Sequence, residues 1–154
     1  MKSELLEIIT KNTEQTQKAA KVLAQEILNQ SEQRKEALVI GLEGELGSGK
    51  TTFVQGLAKG LGIKDKLTSP TFVIMKKYKL RTTSYKIRAT NFYHIDCYRI
   101  KSRDLLDLDF KEIIKQPKNV IIIEWAERVK KILPQDTLWI KFEYLNLNER
   151  KITL

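Results

Sequence analysis

The feature that most constrains the fold is a glycine-rich turn between an apolar run and an amphipathic segment. Residues Gly44–Thr51 read GELGSGKT and match the pattern G-x-x-x-x-G-K-[ST] at every specified position. The run Ala37–Leu42 before it is continuously apolar, as is typical of a strand buried on both faces. After it, apolar residues recur at helical spacing from Phe53 to Leu61. This order of strand, turn and helix predicts a phosphate-binding loop.

The loop pattern assigns roles to three side chains. Lys50 is predicted to reach the β- and γ-phosphates of a nucleotide, and the Thr51 hydroxyl is predicted to ligate Mg²⁺. Thr52 can hydrogen-bond an α- or β-phosphate from the first turn of the helix. Backbone N–H groups of the loop and the helix N-terminus would surround the polyphosphate. The alternative is a glycine turn that only packs a helix against a strand.

Two acidic residues at the ends of apolar strands are candidate partners of the loop. A phosphate-binding loop requires a carboxylate on a neighbouring strand to hold Mg²⁺ or orient water. Asp96 ends the run Phe92–Asp96, and Glu124 ends the more apolar run Val120–Glu124. We therefore expect Glu124 to be the metal-side acid, and Asp96 to be a second metal contact or the water-orienting base. Either acid could instead cap its strand or pair with a surface lysine.

Two further features are less specific. His94 lies two residues before Asp96 and so on the same strand face, but a lone histidine in a strand is more often packed and hydrogen-bonded than catalytic. The segment Ser69-Pro70-Thr71 has the character of a nucleotide switch, because Pro70 favours extended geometry at Ser69 and Thr71 offers a hydroxyl. An ordinary turn before a strand is the alternative.

The order of predicted elements indicates an α/β fold with a partly parallel sheet and a small antiparallel section. No repeat or linker interrupts the pattern, so we expect a single domain over residues 1–154 with the three-layer sandwich of P-loop NTPases. Around the loop, the predicted elements are an edge strand at Leu5–Thr10, a helix that starts at Asn12-Thr13, strands at Thr71–Leu80 and Tyr85–Asp96, a helix from Ser102 to before Pro117, a strand at Asn119–Glu124, and a hairpin of Thr137–Leu145 with Arg150–Leu154.

The positive charge is concentrated in one segment. The chain has 28 Lys and Arg against 19 Asp and Glu, a formal charge of +9 at pH 7. Seven of the basic residues, and no acid, lie between Lys66 and Ile95. Such a segment indicates a surface for phosphates, nucleic acid or an acidic partner, or else a solvated basic hairpin. Composition alone does not choose among these.

Composition excludes several other classes of protein. With 154 residues, 42% of them hydrophobic, the chain can bury one core, which excludes disordered and collagen-like proteins. The single cysteine, Cys97, excludes a disulfide framework and a cysteine-based zinc site, and fits a reducing compartment. Charges among the first apolar residues argue against a secretory signal, and no apolar run approaches the roughly 20 residues of a spanning helix. We expect a cytoplasmic protein without membrane contact.

Taken together, the motifs resemble those of the bacterial TsaE family, small P-loop ATPases of tRNA threonylcarbamoyladenosine biosynthesis. The likeness runs from about Thr13 to the end of the chain, and Ser-Pro-Thr-Phe, His-x-Asp-x-Tyr-Arg and Glu-Trp are rarely found together elsewhere. The segments that carry it are Glu43–Gly62, Ser69–Phe72, His94–Arg99, Ile123–Trp125, Leu133–Asp136 and Arg150–Thr153.

The resemblance implies a function that the residue pattern alone does not. Members of the family hydrolyse ATP to ADP slowly on their own. They act with the threonylcarbamoyl transferase and its pseudo-protease partner, which install the modification at adenosine 37 of tRNAs reading ANN codons. The ATPase step resets that complex, and contact with tRNA is indirect, through the complex.

The resemblance also implies roles for individual residues. Thr51 and Glu124 ligate Mg²⁺, and Asp96 is the other acid required for hydrolysis. Ser69–Thr71 sense the nucleotide, and Thr13 approaches the adenine. Trp125 belongs to the partner-facing side of the nucleotide site. The phosphate-binding residues are Glu45, Leu46, Gly47, Ser48, Gly49 and Lys50.

Two departures from the family and two alternative functions remain. The span Tyr78–His94 is longer and more basic than usual, and Cys97 replaces an apolar residue, which is a packing change in a small hydrophobe. A small-molecule kinase would need a lid with arginines, for which Arg81 and Arg88 could serve, but no lid-sized insertion follows the loop helix. An RNA-binding module would use the basic segment and leave the loop and both acids without a role.

Overall fold

In the part of the chain that the structure describes, one seven-stranded sheet carries the glycine-rich loop at the end of its central strand. The computed structural model describes residues 5–29, 34–68, 73–80 and 89–154. Across the sheet the order is β1-β7-β6-β2-β5-β4-β3. The strands are β1 (Glu7–Thr10), β2 (Leu38–Glu43), β3 (Met75–Lys79), β4 (Asn91–Asp96), β5 (Asn119–Glu124), β6 (Leu138–Tyr144) and β7 (Arg150–Thr153).

Helices cover both faces of this sheet. They are α1 (Thr13–Asn29), α2 (Lys50–Gly60), α3 (Ser102–Leu106), α4 (Phe110–Ile114) and a 3₁₀ helix (Ala126–Ile132). Because side chains alternate along a strand, β2 contributes Ile40 to the core under α1 and α2, and Val39 to the core under the other helices. The predicted three-layer α/β sandwich is confirmed. Within the described residues, no helix is both long enough and apolar enough to span a membrane.

Parallel pairing is confined to the middle of the sheet. β2 is parallel to β5 and β6, and β4 is parallel to β5. Every residue of β5 is buried, as its apolar sequence predicts. The pairs β1–β7, β6–β7 and β3–β4 are antiparallel, so antiparallel pairing occupies both edges of the sheet.

The structure differs from the sequence prediction in two helices and two strands. The helix predicted from Ser102 is observed as two short helices. Asp109, which lies between them, adopts a left-handed conformation (φ 58°) that a continuous helix does not allow. The 3₁₀ helix after β5 was not predicted. The two strands predicted before Asp96 are observed only as Met75–Lys79 and Asn91–Asp96, and residues 69–72 and 81–88 lie outside the described part of the chain.

Cys97 packs as a small hydrophobic residue. Its side chain is fully buried in the core under α3 and α4. Burial raises the pKa of the thiol to about 12, so the residue has no thiolate character near neutral pH. The expected packing role is confirmed.

The contact between α1 and α2 depends on Gly56. A Cβ built at Gly56 would lie 2.6 Å from both Cα and the carbonyl oxygen of Gln17 in α1. Those are backbone atoms, which cannot move aside as a flexible side chain can. Glycine at this position therefore sets how closely the two helices approach. Since α2 begins at the loop, the same contact fixes the loop relative to α1.

Gly56→Ala is expected to destabilise the protein. Alanine gains about 1 kcal/mol of helix propensity over glycine, whereas overpacking costs about 1–3 kcal/mol, and contact with backbone favours the upper part of that range. Urea unfolding should show a net loss of about 1–2 kcal/mol. Lys59→Ala, an exposed change in the same helix, should leave the midpoint nearly unchanged. Equal midpoints for the two variants would contradict the account.

Candidate functional site

The parallel order of the central strands brings the loop and both predicted acids to one edge of the sheet. β2 ends at Glu43, and residues 44–49 lead from it into α2. In β5, the immediate neighbour of β2, Glu124 lies opposite Leu42. In β4, one strand further away, Asp96 lies opposite Glu124. Glu124 is therefore the acid nearer to the loop, and its expected role as the metal-side acid stays a prediction.

The loop has the backbone of a tight turn around the start of α2. Gly49, the last loop residue, has φ 99°, a conformation that favours glycine. A Cβ at Gly44 would lie 2.5 Å from the carbonyl oxygen of Phe142, so only glycine fits beside β6. The N–H of Ser48 donates to the carbonyl of Glu45 at 3.1 Å and closes the turn. The N-terminal N–H groups of an 11-residue helix begin directly after it.

Lys50 is folded back over this loop. Its Nζ donates to the carbonyl oxygens of Gly44 and of Glu45, the latter at 3.0 Å. The same ammonium lies 3.9 Å from the centre of the Trp125 ring, a cation–π distance. Burial lowers the pKa of Lys50, while nearby carboxylates, Glu124 foremost, act in the opposite direction. The cation is thus held directly above the loop by carbonyls and an aromatic face.

Both carboxylate oxygens of Glu124 accept hydrogen bonds. The Thr51 hydroxyl donates to Oε1 at 2.7 Å, and His94 Nε2 donates to Oε2 at 2.6 Å. Glu124 and His94 are buried, at 2% and 0% exposure. The first turn of α2 and the end of β5 are therefore joined through one buried carboxylate.

Asp96 has different surroundings from Glu124. Its side chain is only partly buried, and its Oδ1 accepts a hydrogen bond from the N–H of Tyr98 at 2.9 Å. Burial raises the pKa of the Asp96 carboxyl; the Tyr98 N–H opposes this, and the charge of Glu124 adds to it. Asp96 is consequently more readily protonated than an ordinary aspartate, and it faces the open side of the site.

Trp125 forms a wall between two surface depressions. It adopts a left-handed conformation with φ 58°, unusual for a residue other than glycine. Its ring packs on that of Tyr98 with the ring centres 5.0 Å apart. The Trp125 ring also contacts the Lys50 ammonium. Glu45 and Glu127 line the groove on the far side of this wall. Non-glycine residues in this conformation are often found at functional sites.

A cavity of about 460 Å³ lies over the loop, a volume typical of small-molecule sites. Of the predicted site residues, Glu45 is the one described residue that lies instead in the groove beyond Trp125. Ser69, Pro70 and Thr71 lie outside the described residues, so the switch stays a prediction. The predicted residues that line the cavity are Thr13, Leu46, Gly47, Ser48, Gly49, Lys50, Thr51, Thr52, Asp96, Glu124 and Trp125.

Thr13 is fixed at the rim of the cavity by the way α1 starts. The side chain of Asn12 accepts a hydrogen bond from the N–H of Gln15 at 2.8 Å. The side chain of Gln15 accepts one from the N–H of Lys11 at 2.8 Å. The first of these bonds is a side-chain N-cap, so the predicted N-cap at Asn12-Thr13 is confirmed at Asn12, and the second ties Gln15 to the residue before the cap.

Several cavity residues were missed from the sequence. Tyr98 and Arg150 belong to segments that carry the family resemblance, but no role was predicted for them. No sequence pattern indicated that the turn 145–149 contributes to the site. It is brought there by the parallel pairing of β6 with β2. The missed residues are Asn12, Thr16, Tyr98, Leu147, Asn148 and Arg150.

Arg150 ties the turn between β6 and β7 to the tip of the loop. Its Nε donates to the carbonyl of Gly47 at 2.9 Å. Its Nη1 donates to the carbonyls of Asn146 at 2.7 Å and Glu149 at 2.9 Å. The guanidinium also lies 4.5 Å from the centre of the Tyr144 ring. One side chain therefore holds two walls of the cavity together.

These features define the chain as an α/β protein of the P-loop class. A family model described as Threonylcarbamoyl adenosine biosynthesis protein TsaE matches residues 10–152. The chain belongs to the TsaE family, as the motifs predicted.

Curated relatives agree with this assignment. A Treponema pallidum protein named tRNA threonylcarbamoyladenosine biosynthesis protein TsaE is 41% identical over 120 residues, which cover 77% of this chain and 82% of that protein. The protein of the same name from Aquifex aeolicus is 38% identical over 152 residues, covering 97% and 96%. The crystal structure of Bacillus subtilis YdiB superposes with a TM-score of 0.70 and 33% identity, covering 99% of this chain and 86% of that one.

Arg150→Ala is expected to loosen both the loop tip and the 146–149 turn. A hydrogen bond to a charged group contributes about 1.5–3 kcal/mol, so amide hydrogen exchange in the two segments should accelerate by about tenfold or more. Lys151→Ala is the matched control, since among the described residues the Lys151 ammonium pairs with the surface carboxylates of Glu7 and Glu143 and not with the loop. Equal protection in the two variants would show that Arg150 does not hold the loop.

Proposed function

We propose that this chain is a Mg²⁺-dependent ATPase of tRNA threonylcarbamoyladenosine biosynthesis that hydrolyses ATP to ADP. The observation that carries the proposal is the hydrogen bond from Thr51 to Glu124, at 2.7 Å. It joins the hydroxyl of the phosphate-loop motif to a buried carboxylate at the end of the neighbouring parallel strand. A carboxylate in that position is what phosphoryl transfer at such a loop requires.

The loop supports binding of a polyphosphate. Its backbone turns at Gly44 and Gly49 around the N-terminus of α2, where N–H groups and the helix dipole favour an anion. Lys50 lies directly over this turn and is the cation that would reach the terminal phosphates. On release from the Glu45 carbonyl it would retain the Trp125 face as a neighbour.

The donor set supports Mg²⁺ in particular. Thr51 and Glu124 would hold it through a hydroxyl and a carboxylate oxygen, the hard donors that Mg²⁺ prefers. The described residues contain no group of three or more His, Cys, Asp and Glu side chains arranged around a metal site. Mg²⁺ is commonly held by one or two protein oxygens together with substrate phosphates. Bound there, it would neutralise negative charge on the transferred phosphoryl group.

Asp96 is the residue we assign to the attacking water. It lines the cavity, is partly exposed, and has a pKa raised chiefly by burial. A carboxylate with a raised pKa accepts a proton from water more readily than an ordinary one. Glu124, with both oxygens engaged by Thr51 and His94, is less suited to that task.

The pathway assignment extends the names of the relatives to this chain. We propose that it acts in the cytoplasm with the threonylcarbamoyl transferase and its pseudo-protease partner on adenosine 37 of tRNAs reading ANN codons. Leu46 and Leu147, 77% and 81% exposed, stand at the mouth of the cavity and suit a protein partner that covers it. Contact with tRNA would then be indirect, through the complex.

The basic segment gives weaker support for a partner contact. Its described lysines on β3, an edge strand, include Lys77 and Lys79, both exposed. Lys76 donates to the Thr68 hydroxyl at 2.7 Å and is therefore already engaged within the chain. An exposed basic edge suits an acidic partner or nucleic acid equally.

Lys50→Ala is expected to weaken ATP binding, and Glu124→Ala is expected to weaken Mg²⁺-dependent turnover. Lys50→Ala removes a charged phosphate contact and should weaken ATP binding by about 10- to 100-fold, as measured by calorimetry. Glu124→Ala should retain ADP binding in EDTA but lose about tenfold or more of Mg²⁺-dependent turnover. The control is Lys59→Ala, which changes an exposed lysine of α2, the helix that also carries Lys50. It should match the wild type in both assays.

Three outcomes would contradict the proposal. Unchanged ATP affinity in Lys50→Ala together with unchanged turnover in Glu124→Ala would overturn the assignment of the site. Stoichiometric transfer of phosphate to a nucleoside or small alcohol would identify a kinase instead. In cells depleted of the native protein, unchanged levels of threonylcarbamoyladenosine would overturn the pathway assignment, whereas loss of the modified nucleoside and its restoration by the wild type would support it.

A further inference from the structure

We propose that His94 is the positioning residue of the metal site. It holds Oε2 of Glu124 so that Oε1 faces Thr51 and is the oxygen presented to Mg²⁺. This inference rests on the function proposed above and deepens it. It concerns how the protein aims its metal-binding carboxylate, a role separate from that of Asp96.

The sheet register puts His94 within reach of Glu124. His94 on β4 lies opposite Ile122 on β5, and Glu124 is two residues further along that strand. The two residues are therefore diagonal neighbours on one face of the sheet, where long or aromatic side chains can meet. The imidazole spans this diagonal and brings Nε2 to 2.6 Å from Oε2.

Burial makes the hydrogen bond consequential. His94 is fully buried and Glu124 is 2% exposed, so an unpaired carboxylate oxygen there would be costly. An ionised carboxylate only accepts hydrogen bonds, so the proton between the two residues is carried by Nε2. His94 thus satisfies one oxygen of Glu124, and Thr51 satisfies the other.

The other ring nitrogen shows that packing alone does not account for this histidine. Nδ1 of His94 is buried and has no hydrogen-bond partner among the described residues. An apolar side chain of similar volume would fill the space without leaving a buried polar atom unpaired. The hydrogen bond to Glu124 is what the imidazole supplies and an apolar residue would not.

Hydrogen bonds of this kind tune metal ligands elsewhere in proteins. Groups that orient a ligating side chain typically change metal affinity by about 10- to 100-fold when they are removed. Without the Nε2 donor, Oε2 of Glu124 would compete for the Thr51 hydroxyl and the Lys50 ammonium. The carboxylate would then lose the orientation that leaves Oε1 toward the metal. Binding of the nucleotide without metal does not depend on that orientation.

The test compares His94→Met, His94→Gln and Asn91→Ala by binding of fluorescent ADP in EDTA and during Mg²⁺ titration. His94→Met removes the donor at similar volume and should raise the Mg²⁺ midpoint about tenfold or more, with the EDTA affinity unchanged. His94→Gln, whose amide nitrogen can replace Nε2, should recover part of this loss. Asn91→Ala removes a hydrogen bond between the same two strands, from Asn91 to Asn119 at 3.0 Å, and should leave the midpoint unchanged.

The outcomes separate this inference from the proposed function. A wild-type protein whose ADP binding ignores Mg²⁺ would overturn the proposed function and the inference with it. A normal wild-type response together with an unchanged midpoint in His94→Met would overturn the inference alone. An equal rise of the Mg²⁺ midpoint in His94→Met and in Asn91→Ala would show that His94 has only a structural role, and would also overturn the inference.

A measurement that needs no substitution at His94 covers the case in which the His94 variants do not fold. His94 is the one histidine in the chain, so its ring signals in a ¹⁵N-histidine sample need no further assignment. We expect an Nε2–H proton that exchanges slowly with solvent and shifts in Glu124→Gln. A proton found on Nδ1 with none on Nε2, or an Nε2–H signal unaffected by Glu124→Gln, would contradict the inference.

Discussion

The hydrogen bond between Thr51 and Glu124 is the interaction on which the site depends. It connects two elements that are far apart in sequence, the first turn of α2 and the end of β5. Parallel pairing of β2 with β5 makes it possible, because that pairing aligns the carboxyl ends of both strands. The loop and its acid are therefore positioned by the sheet, and β5, which carries the acid, is buried at every residue.

Around this bond the site combines buried charges of opposite sign. Lys50 and Glu124 are 5% and 2% exposed, and each forms hydrogen bonds with groups of the protein. Such groups keep fixed positions, since moving one leaves its partner unpaired in a low-dielectric environment. Arg150 and Gly56 extend the same rigidity outward, one through the loop tip and the other through the contact of α1 with α2. A site held in this way would stabilise the charge of a ligand with little rearrangement beyond the release of Lys50 from the loop carbonyls.

The sequence predicted the parts of the site that are local. Residues 44–51 form a contiguous motif, and Asp96 and Glu124 each end an apolar strand, so pattern and spacing were sufficient. Arg150 was missed because its place at the loop depends on β6 pairing beside β2, a long-range contact that no local pattern encodes. The break at Asp109 was missed because its positive φ carries no clear residue signal, unlike glycine.

The most direct test of the account is a crystal structure with a non-hydrolysable ATP analogue and Mn²⁺ in place of Mg²⁺. Anomalous scattering would locate the metal independently of any assumption about its ligands. We expect a metal bonded to the Thr51 hydroxyl and to Oε1 of Glu124, with His94 still bonded to Oε2. A metal bonded to Asp96, with Glu124 remaining bonded to Thr51, would contradict it.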